Sequence, residues 1–304
     1  MNAVLKPTGR NDLAGLIAES EGRHSRRLSE IAEAIAEANR ERGVRTVLEA
    51  GPSSSGKTTF ARRLADSLAA RGVEPVPISI DDFFVERDNT PRDEHGNYDF
   101  ETVEAVDLAL LNDCLRRLSE GESVRIPLYD FVSGKRLWHE QPLRLNDNSV
   151  MILEGLHALN PRLSNLIDDN RKYKIFISCL TPAESADGER ISAFDVRLLR
   201  RISRDNAQRG RSAAQTIQQW AGVRRGEEKW VFPYLGDADA VFDSSLRYEL
   251  SVLHPVARPL LEAIPQNSEE YSTASRLLRI LNLFPPAPAD GVPEYSLLRE
   301  FIGL

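Results

Sequence analysis

The chain's 304 residues are about twice the ~150 of a typical single domain, enough for one large α/β domain with additions or for two domains. Its 39 basic residues against 46 acidic ones give a formal net charge of −7. That balance argues against a general nucleic-acid or anionic-membrane binder, which needs a basic surface, and a hydrophobic content of 41% beside 28% charged residues argues against disorder.

In chain order, the stretch MNAVLKPTGRND lacks the apolar core of a signal peptide. No later apolar run approaches the ~20 residues of a membrane span, so a cytoplasmic protein is expected. Residues 11–42 read as helix, because Leu28, Ile31, Ala32 and Ile35 recur at i, i+3, i+4 and i+7. This predicts a helical N-terminal extension over 1–44 that packs on the main domain or on a second subunit. From Arg45 the pattern changes to short apolar runs at 46–50, 76–80, 150–153, 174–178 and 240–242, separated by helical segments. That alternation predicts an α/β domain over 45–245 whose parallel sheet has helices on both faces. Right-handed crossovers then line up the strands' C-terminal ends along one ligand-binding edge.

Two extended segments, 122–131 and 136–139, flank Val132–Lys135 and predict a β-hairpin inserted at about 122–145. After Ser245 the pattern is helical again, at Arg247–Ile264 and Glu269–Leu283. A stiff Pro285-Pro286-Ala287-Pro288 linker and a short helix near Leu297–Ile302 complete a helical C-terminal extension over 246–304. Cys114 and Cys179 form no CxxC pair, so neither a zinc site nor a disulfide is expected. Cys114, beside Leu111, Leu115 and Leu118, reads as a core thiol.

Gly51-Pro52-Ser53-Ser54-Ser55-Gly56-Lys57-Thr58 fits G-x-x-x-x-G-K-[ST], follows an apolar run and opens a helix at Thr59 and Phe60. Small residues there let backbone N–H groups converge on phosphate oxygens at a helix N-terminus. Lys57 supplies a mobile cation and the Thr58 hydroxyl suits Mg²⁺. The plainer alternative is a glycine-rich turn.

At the end of the second apolar run stand Asp81 and Asp82. A carboxylate there would accept the proton of an attacking hydroxyl or bind Mg²⁺ through water, the alternative being an N-cap pair. Glu154 closes the third run, the usual place for a metal-organising acid, with a structural cap-like role as its alternative. Asn97-Tyr98-Asp99-Phe100 and Tyr129-Asp130-Phe131 put aromatics beside carboxylates, which suits a flat heterocycle bearing a hydroxylated sugar held by Asp99. Aromatics in strands are also simply packed. Arg197, Arg200, Arg201, Arg204, Arg209, Arg211, Arg224 and Arg225 crowd a segment at about 190–230. Beside a phosphate loop they suggest a lid that closes on ATP and neutralises the transferring group. The alternative is a solvated helix paired with Asp195, Asp205, Glu227 and Glu228.

Taken together, these residues resemble the uridine kinase and phosphoribulokinase family of P-loop kinases, most closely its uridine kinase-like bacterial branch. The likeness is carried by GPSSSGKTTF at Gly51–Phe60, SIDDFF at Ser79–Phe84, TPRDEHGNYDFE at Thr90–Glu101, YDF at Tyr129–Phe131 and LEG at Leu153–Gly155. It continues through DVRLLRRISRD at Asp195–Asp205, RGRSAAQTIQQW at Arg209–Trp220 and VRRGEEKWVFPY at Val223–Tyr234. It implies a P-loop NTPase-type fold, with Asp81 as catalytic base for a ribose 5′-hydroxyl, Asp99 on the sugar hydroxyls and Tyr129 on the base. It further implies substrate-side contacts for Arg201, Arg211 and Gln219, and phosphate-facing roles for Arg204 and Arg209. The uridine–cytidine kinases of that family usually carry a histidine three residues after the Phe of YDF, where it reads the pyrimidine edge. That position is Gly134 here, which also reads as a plain turn glycine. Some relatives carry a separate module before the kinase, in place of which only the helical extension is expected here.

The expected function is Mg²⁺-dependent transfer of the γ-phosphoryl group of ATP (or GTP) to the 5′-hydroxyl of a nucleoside, uridine or cytidine. A small-molecule nucleoside and nucleotide are the expected partners, with no nucleic acid or membrane. The helical ends suit either a homo-oligomer interface or packing within one chain. A kinase of another hydroxyl substrate, such as a sugar phosphate or a pantothenate-like compound, and a non-catalytic NTP-binding module are the alternatives.

Overall fold

The computed structural model describes residues 9–94 and 96–303. The reading of the first eight residues and His95 of the Thr90–Glu101 stretch lie outside the described residues.

The chain opens with helix α1 (Gly9–Arg42) and strand β1 (Thr46–Ala50). Helix α2 (Lys57–Ala69), strand β2 (Glu74–Ser79) and helix α3 (Leu108–Ser119) follow. Next come the antiparallel hairpin strands β3 (Pro127–Asp130) and β4 (Lys135–Trp138). Strands β5 (Ser149–Glu154) and β6 (Lys172–Ser178) lead into a two-strand ribbon, β7 (Ala183–Glu184) with β8 (Arg190–Ile191). Helices α4 (Ala193–Arg209) and α5 (Ala213–Trp230), strand β9 (Ala240–Asp243), and helices α6 (Glu249–Glu262), α7 (Tyr271–Asn282) and α8 (Arg299–Ile302) complete the described chain.

The central sheet has the order β2-β5-β1-β6-β9 and every pairing in it is parallel. Side chains alternate across the strands, so two cores form. Leu48, Met151 and Phe176 face a core shared with α3 and the hairpin, while Val47, Ile152 and Ile175 face one shared with α1 and α2. The expected helices on both faces are therefore present. β2 begins two residues before the expected run and contains Pro75 and Pro77, which an edge strand tolerates. The Glu74 amide donates to the Asn148 carbonyl on the β5 side, so the alternate prolines turn their missing donors outward. β2 stops at Ser79, and Ile80–Phe83 form a 3₁₀ turn rather than more strand.

The α1 stripe is spent within the chain. Leu28, Ile31, Ala32 and Ile35 are all buried against α2 and the sheet, which answers whether they pack on this chain or on a second subunit. Each Leu or Ile so buried contributes about 1.5–3 kcal/mol.

The inserted hairpin is present, and Asp130↔Lys135 sets a four-residue loop. Gly134 sits there at φ +71, and a Cβ on it would come within 2.7 Å of the Arg87 side chain. Conformation and close approach both require glycine there. A third apolar cluster joins α4, α5, α6, α7 and α8. No helix among the described residues is long and apolar enough to cross a membrane.

Candidate active site

β1 lies at the middle of the sheet, so the loop after it opens at the centre of the edge formed by the strands' C-terminal ends. Gly51 is required by close approach, since a Cβ there would lie 2.0 Å from the Ile177 carbonyl oxygen. Gly56 adopts φ 91 and ends the loop just before α2 starts at Lys57. Pro52, Ser53, Ser54 and Ser55 span the turn, closed by the Ser55 amide on the Pro52 carbonyl at 3.3 Å. Lys57 Nζ donates to that same carbonyl at 3.3 Å. The first-turn amides of α2 at Lys57, Thr58 and Thr59 point into this loop, with the positive end of the helix dipole behind them.

Carboxylates surround Lys57. Asp81 lies in the 3₁₀ turn beyond β2. Burial pushes its carboxyl above the ordinary range, Lys57, Arg209 and Arg204 pull it back, and Asp82 adds to the rise. Asp82 has a different task from the N-cap alternative: its Oδ1 accepts from the Tyr129 amide at 3.2 Å, tying the hairpin to the turn. Glu154 ends β5 directly in register with Glu49 of β1. Burial pushes the Glu154 carboxyl up to about 7 against the pull of Lys57, with Asp81, Glu300 and Asp82 reinforcing the rise. Glu49 is fully buried and neither of its oxygens has a hydrogen-bond partner. Its carboxyl is held well above the ordinary range by burial and by Glu154. Sequence reading passed over Glu49, although a carboxylate inside an apolar run beside a phosphate loop was the available signal.

The side facing the hairpin holds the aromatics. Tyr129 is 3% exposed and its ring meets Phe84 and Phe131 edge-on, at 5.6 and 5.1 Å between centroids. Phe131 is 55% exposed at the hairpin tip. Tyr98 packs on Phe100 and beneath the Arg92 guanidinium, which sits 4.3 Å from its ring. Asp99 uses one oxygen to accept from the Glu101 amide at 3.0 Å. Arg211 and Gln219 meet each other at 2.6 Å. Arg87 donates to the Phe131 and Val132 carbonyls and passes over Gly134, filling the space beside the tip.

The arginines divide into two groups. Arg204 and Arg209 converge on Asp205, at 3.0 and 3.4 Å, within electrostatic reach of Asp81. Burial alone would raise Asp205, but Arg204, Arg201 and Arg209 together hold its carboxyl below the ordinary range. Arg201 donates to Ser53 Oγ at 2.7 Å and lies 4.0 Å from Glu101, so it links the phosphate loop to the segment that carries Asp99. Arg197 and Arg200 depart from the expected lid. They are 1% and 0% exposed and pair at 2.6 Å with Glu227 and Glu249, because elements distant in sequence close over them. Of the carboxylates offered as surface partners, Asp195 pairs with Arg276 and Glu228 with Arg224.

The C-terminal segment reaches the same place. The Leu297 side chain packs where a Cβ on Gly56 would be, at 3.3 Å, and the Thr59 hydroxyl donates to Glu300 at 3.1 Å. Gln208 of α4 holds the Glu300 carbonyl at 3.0 Å. Nothing in the local pattern of residues 296–300 announces this contact.

Glu101 makes the site's pH dependence testable. Burial pushes its carboxyl up to about 7 against Arg201, with Glu227, Asp99 and Asp81 reinforcing the rise. The folded protein therefore keeps a proton that the unfolded chain loses near the ordinary value of 4.5. The contribution of Glu101 to the stability of the ligand-free protein is expected to fall as pH rises from about 4.5 to about 7 and to level off above that, whereas the buried His24 and His157, pushed down to about 3 and about 4, contribute in the opposite sense up to about 6.5. Urea unfolding at pH 5 and pH 7.5 checks this. The stability of Glu101→Gln relative to the wild type should improve from pH 5 to pH 7.5, and a relative stability that does not change with pH would contradict the assignment.

The sequence model of the Phosphoribulokinase / Uridine kinase family matches residues 49–250. A Uridine kinase of Saccharomyces cerevisiae is 34% identical over 198 residues, which cover 64% of this chain and 36% of that protein. A Uridine kinase of Chloroflexus aurantiacus is 29% identical over 219 residues, covering 71% of this chain and 95% of that protein. The chain thus spans about a third of the yeast relative's length and 41% of Uridine kinase-like protein 5 of Arabidopsis thaliana. A solved structure of a possible uridine kinase from Bacillus stearothermophilus aligns with TM-score 0.48 and 19% identity over 70% of this chain and 98% of that one.

Proposed function

The chain belongs to the phosphoribulokinase / uridine kinase family, and from that premise we propose that its pocket transfers the γ-phosphoryl group of ATP or GTP to the 5′-hydroxyl of a nucleoside, uridine or cytidine. One observation carries this reading. A half-buried carboxylate, Asp81, stands within the electrostatic field of the phosphate-loop lysine and of two arginines, three residues before Phe84 of the aromatic cluster.

The loop amides and the α2 N-terminus would cradle the triphosphate, with Lys57 at its β/γ end. Asp81 would orient the acceptor hydroxyl and take its proton as the oxygen attacks. Burial raises the basicity of Asp81, which favours that transfer near neutral pH. Arg204 and Arg209 would neutralise the equatorial oxygens of the moving group, and Arg201 would fix the loop side of the acceptor pocket. Asp99 has a second oxygen for sugar hydroxyls, while Tyr98, Tyr129 and Phe131 offer ring faces and edges to a base. Arg211 and Gln219, bonded to each other at 2.6 Å, would meet the acceptor from the substrate side.

Thr58, Glu154 and Asp81 offer hard oxygen atoms, and burial, reinforced by Asp81, Glu300 and Asp82, pushes the Glu154 carboxyl up to about 7. That fits Mg²⁺, which takes one or two carboxylates together with phosphate oxygens and water. When bound, the ion would neutralise charge on the β- and γ-oxygens.

A narrower second reading rests on Arg87. Its guanidinium, a donor-only cation, lies over Gly134 beside the aromatic cluster. This favours an acceptor with carbonyl or anionic groups, such as a sugar phosphate. ADP formation measured across a panel of nucleosides and phosphorylated sugars separates the two. Acceleration by uridine or cytidine supports the nucleoside reading, and acceleration by a sugar phosphate alone replaces it. ATP binding that no acceptor turns into ADP removes both.

Glu300 gives a further expected result. Its carboxylate holds the Thr59 hydroxyl at the start of α2, the anion niche that phosphates need. Glu300→Gln should tighten nucleotide binding about 3- to 10-fold by removing a like charge. Titration calorimetry with ATP reads it, and unchanged or weaker binding would contradict it.

A further inference from the structure

Glu227 and Arg197 do something for the phosphate loop that its motif does not specify. Their side chains are 0% and 1% exposed and joined by two short bonds, Arg197 Nη1 to Glu227 Oε1 at 2.6 Å and Nη2 to Oε2 at 2.7 Å. The same pair holds both backbone polar groups of Ser53. The Ser53 amide donates to Glu227 Oε1 at 2.8 Å, and Arg197 Nη1 donates to the Ser53 carbonyl at 3.0 Å. Phe194 and Trp220 pack their rings about the guanidinium, each centroid at 5.4 Å, which keeps water away from the pair. The next residue, Ser54, is the only non-glycine residue at positive φ (58°) among the described residues. A serine is held in that unfavourable conformation only when its surroundings dictate it. Here the residue before it is held at both ends, while the Arg200 guanidinium lies against the Ser54 carbonyl at 3.4 Å.

We propose that Arg197 and Glu227 are positioning residues, a buried clamp that fixes the Ser53 backbone and so preforms the phosphate loop for a nucleoside triphosphate. This rests on the reading of the loop as a nucleotide site. The clamp also anchors α4 and α5, since either helix can leave the loop only by opening an ion pair shut away from water. The arginine-rich segment is accordingly a fixed wall where it meets Ser53, and any closing motion is confined to residues beyond the clamp, toward Arg209 and Arg211. A ligand gains from such a preformed loop because less ordering is left to do on binding.

The test compares ATP affinity, kcat, KM and melting temperature across the wild type, Glu227→Ala, Glu227→Gln and the double variant Arg197→Met/Glu227→Leu. Glu227→Gln keeps an oxygen for the Ser53 amide. The double variant removes both charges together and spares the core an unpaired one. ATP binding is expected to weaken about tenfold or more in Glu227→Ala and in the double variant, with KM moving more than kcat, and to recover substantially in Glu227→Gln. A folded double variant that binds ATP as the wild type does would overturn the clamp. So would a Glu227→Gln variant as impaired as Glu227→Ala. Hydrogen exchange on the unaltered protein adds an independent readout: the Ser53 amide is expected to be protected without nucleotide, and rapid exchange there overturns the proposal even if no variant folds. Failure of the wild type to bind any triphosphate would remove the nucleotide reading instead, leaving the clamp to be judged by that exchange rate.

Discussion

Asp81→Asn is expected to lower kcat by about 10²–10⁴-fold, the range that positioned proton transfer supplies, while ATP binding stays within about threefold. Asn keeps the shape and one oxygen of the carboxylate but cannot take a proton. The separation of the two effects follows from geometry. Asp81 sits in the turn beyond β2, across the sheet edge from the amides that would hold the triphosphate. Its loss also removes one negative charge from the surroundings of Lys57 and Glu154. Affinity for ATP titrated without Mg²⁺ is therefore expected to rise slightly. Steady-state turnover with saturating acceptor, set beside calorimetric ATP titration, reads both numbers. Turnover close to that of the wild type would remove Asp81 as the base.

Lys57→Met should be at least as severe and should differ in kind. Lys57 is the cation that pulls against the raised carboxyls of Asp81, Glu154 and Glu49. Without it three acidic groups face the phosphates with less compensation, so ground-state binding and transition-state stabilisation both suffer. A fall in kcat/KM of roughly 10³-fold is expected, comparable to losing a preorganised charge donor at a reacting centre. Lys57→Arg should not restore activity, because the planar guanidinium cannot take the place of a compact ammonium that now reaches the Pro52 carbonyl. Full kcat/KM in Lys57→Met, or rescue by arginine, would contradict this.

What the sequence revealed and what it hid divide along the range of the interactions. The five parallel strands were legible as apolar runs, and the phosphate loop was legible because spacing, preceding strand and following helix all agree locally. The hairpin showed itself through two extended stretches around Val132–Lys135. Gly134 was open to two explanations, and the structure adds a third: the Arg87 side chain occupies the space over it. In the arginine-rich segment Glu227 was legible as a partner but the burial of Arg197 was not, and Arg200 pairs with Glu249, outside the carboxylates the sequence offered. Glu227 and Glu249 lie one or more helices further along the chain. The seat of Leu297 and Glu300 on the phosphate loop was invisible for the same reason. The apolar stripe of α1 was found, but whether it covers this chain or another depended on where α2 and β9 bring their own apolar faces.

The decisive measurement is a crystal structure with a non-hydrolysable ATP analogue and uridine bound together. The uridine 5′-oxygen is predicted to lie within about 3.2 Å of an Asp81 carboxylate oxygen, on the line extending from the bridging oxygen through the γ-phosphorus. An Asp81 side chain turned away from the γ-phosphate, with no room for an acceptor beyond it, would contradict the phosphotransferase account.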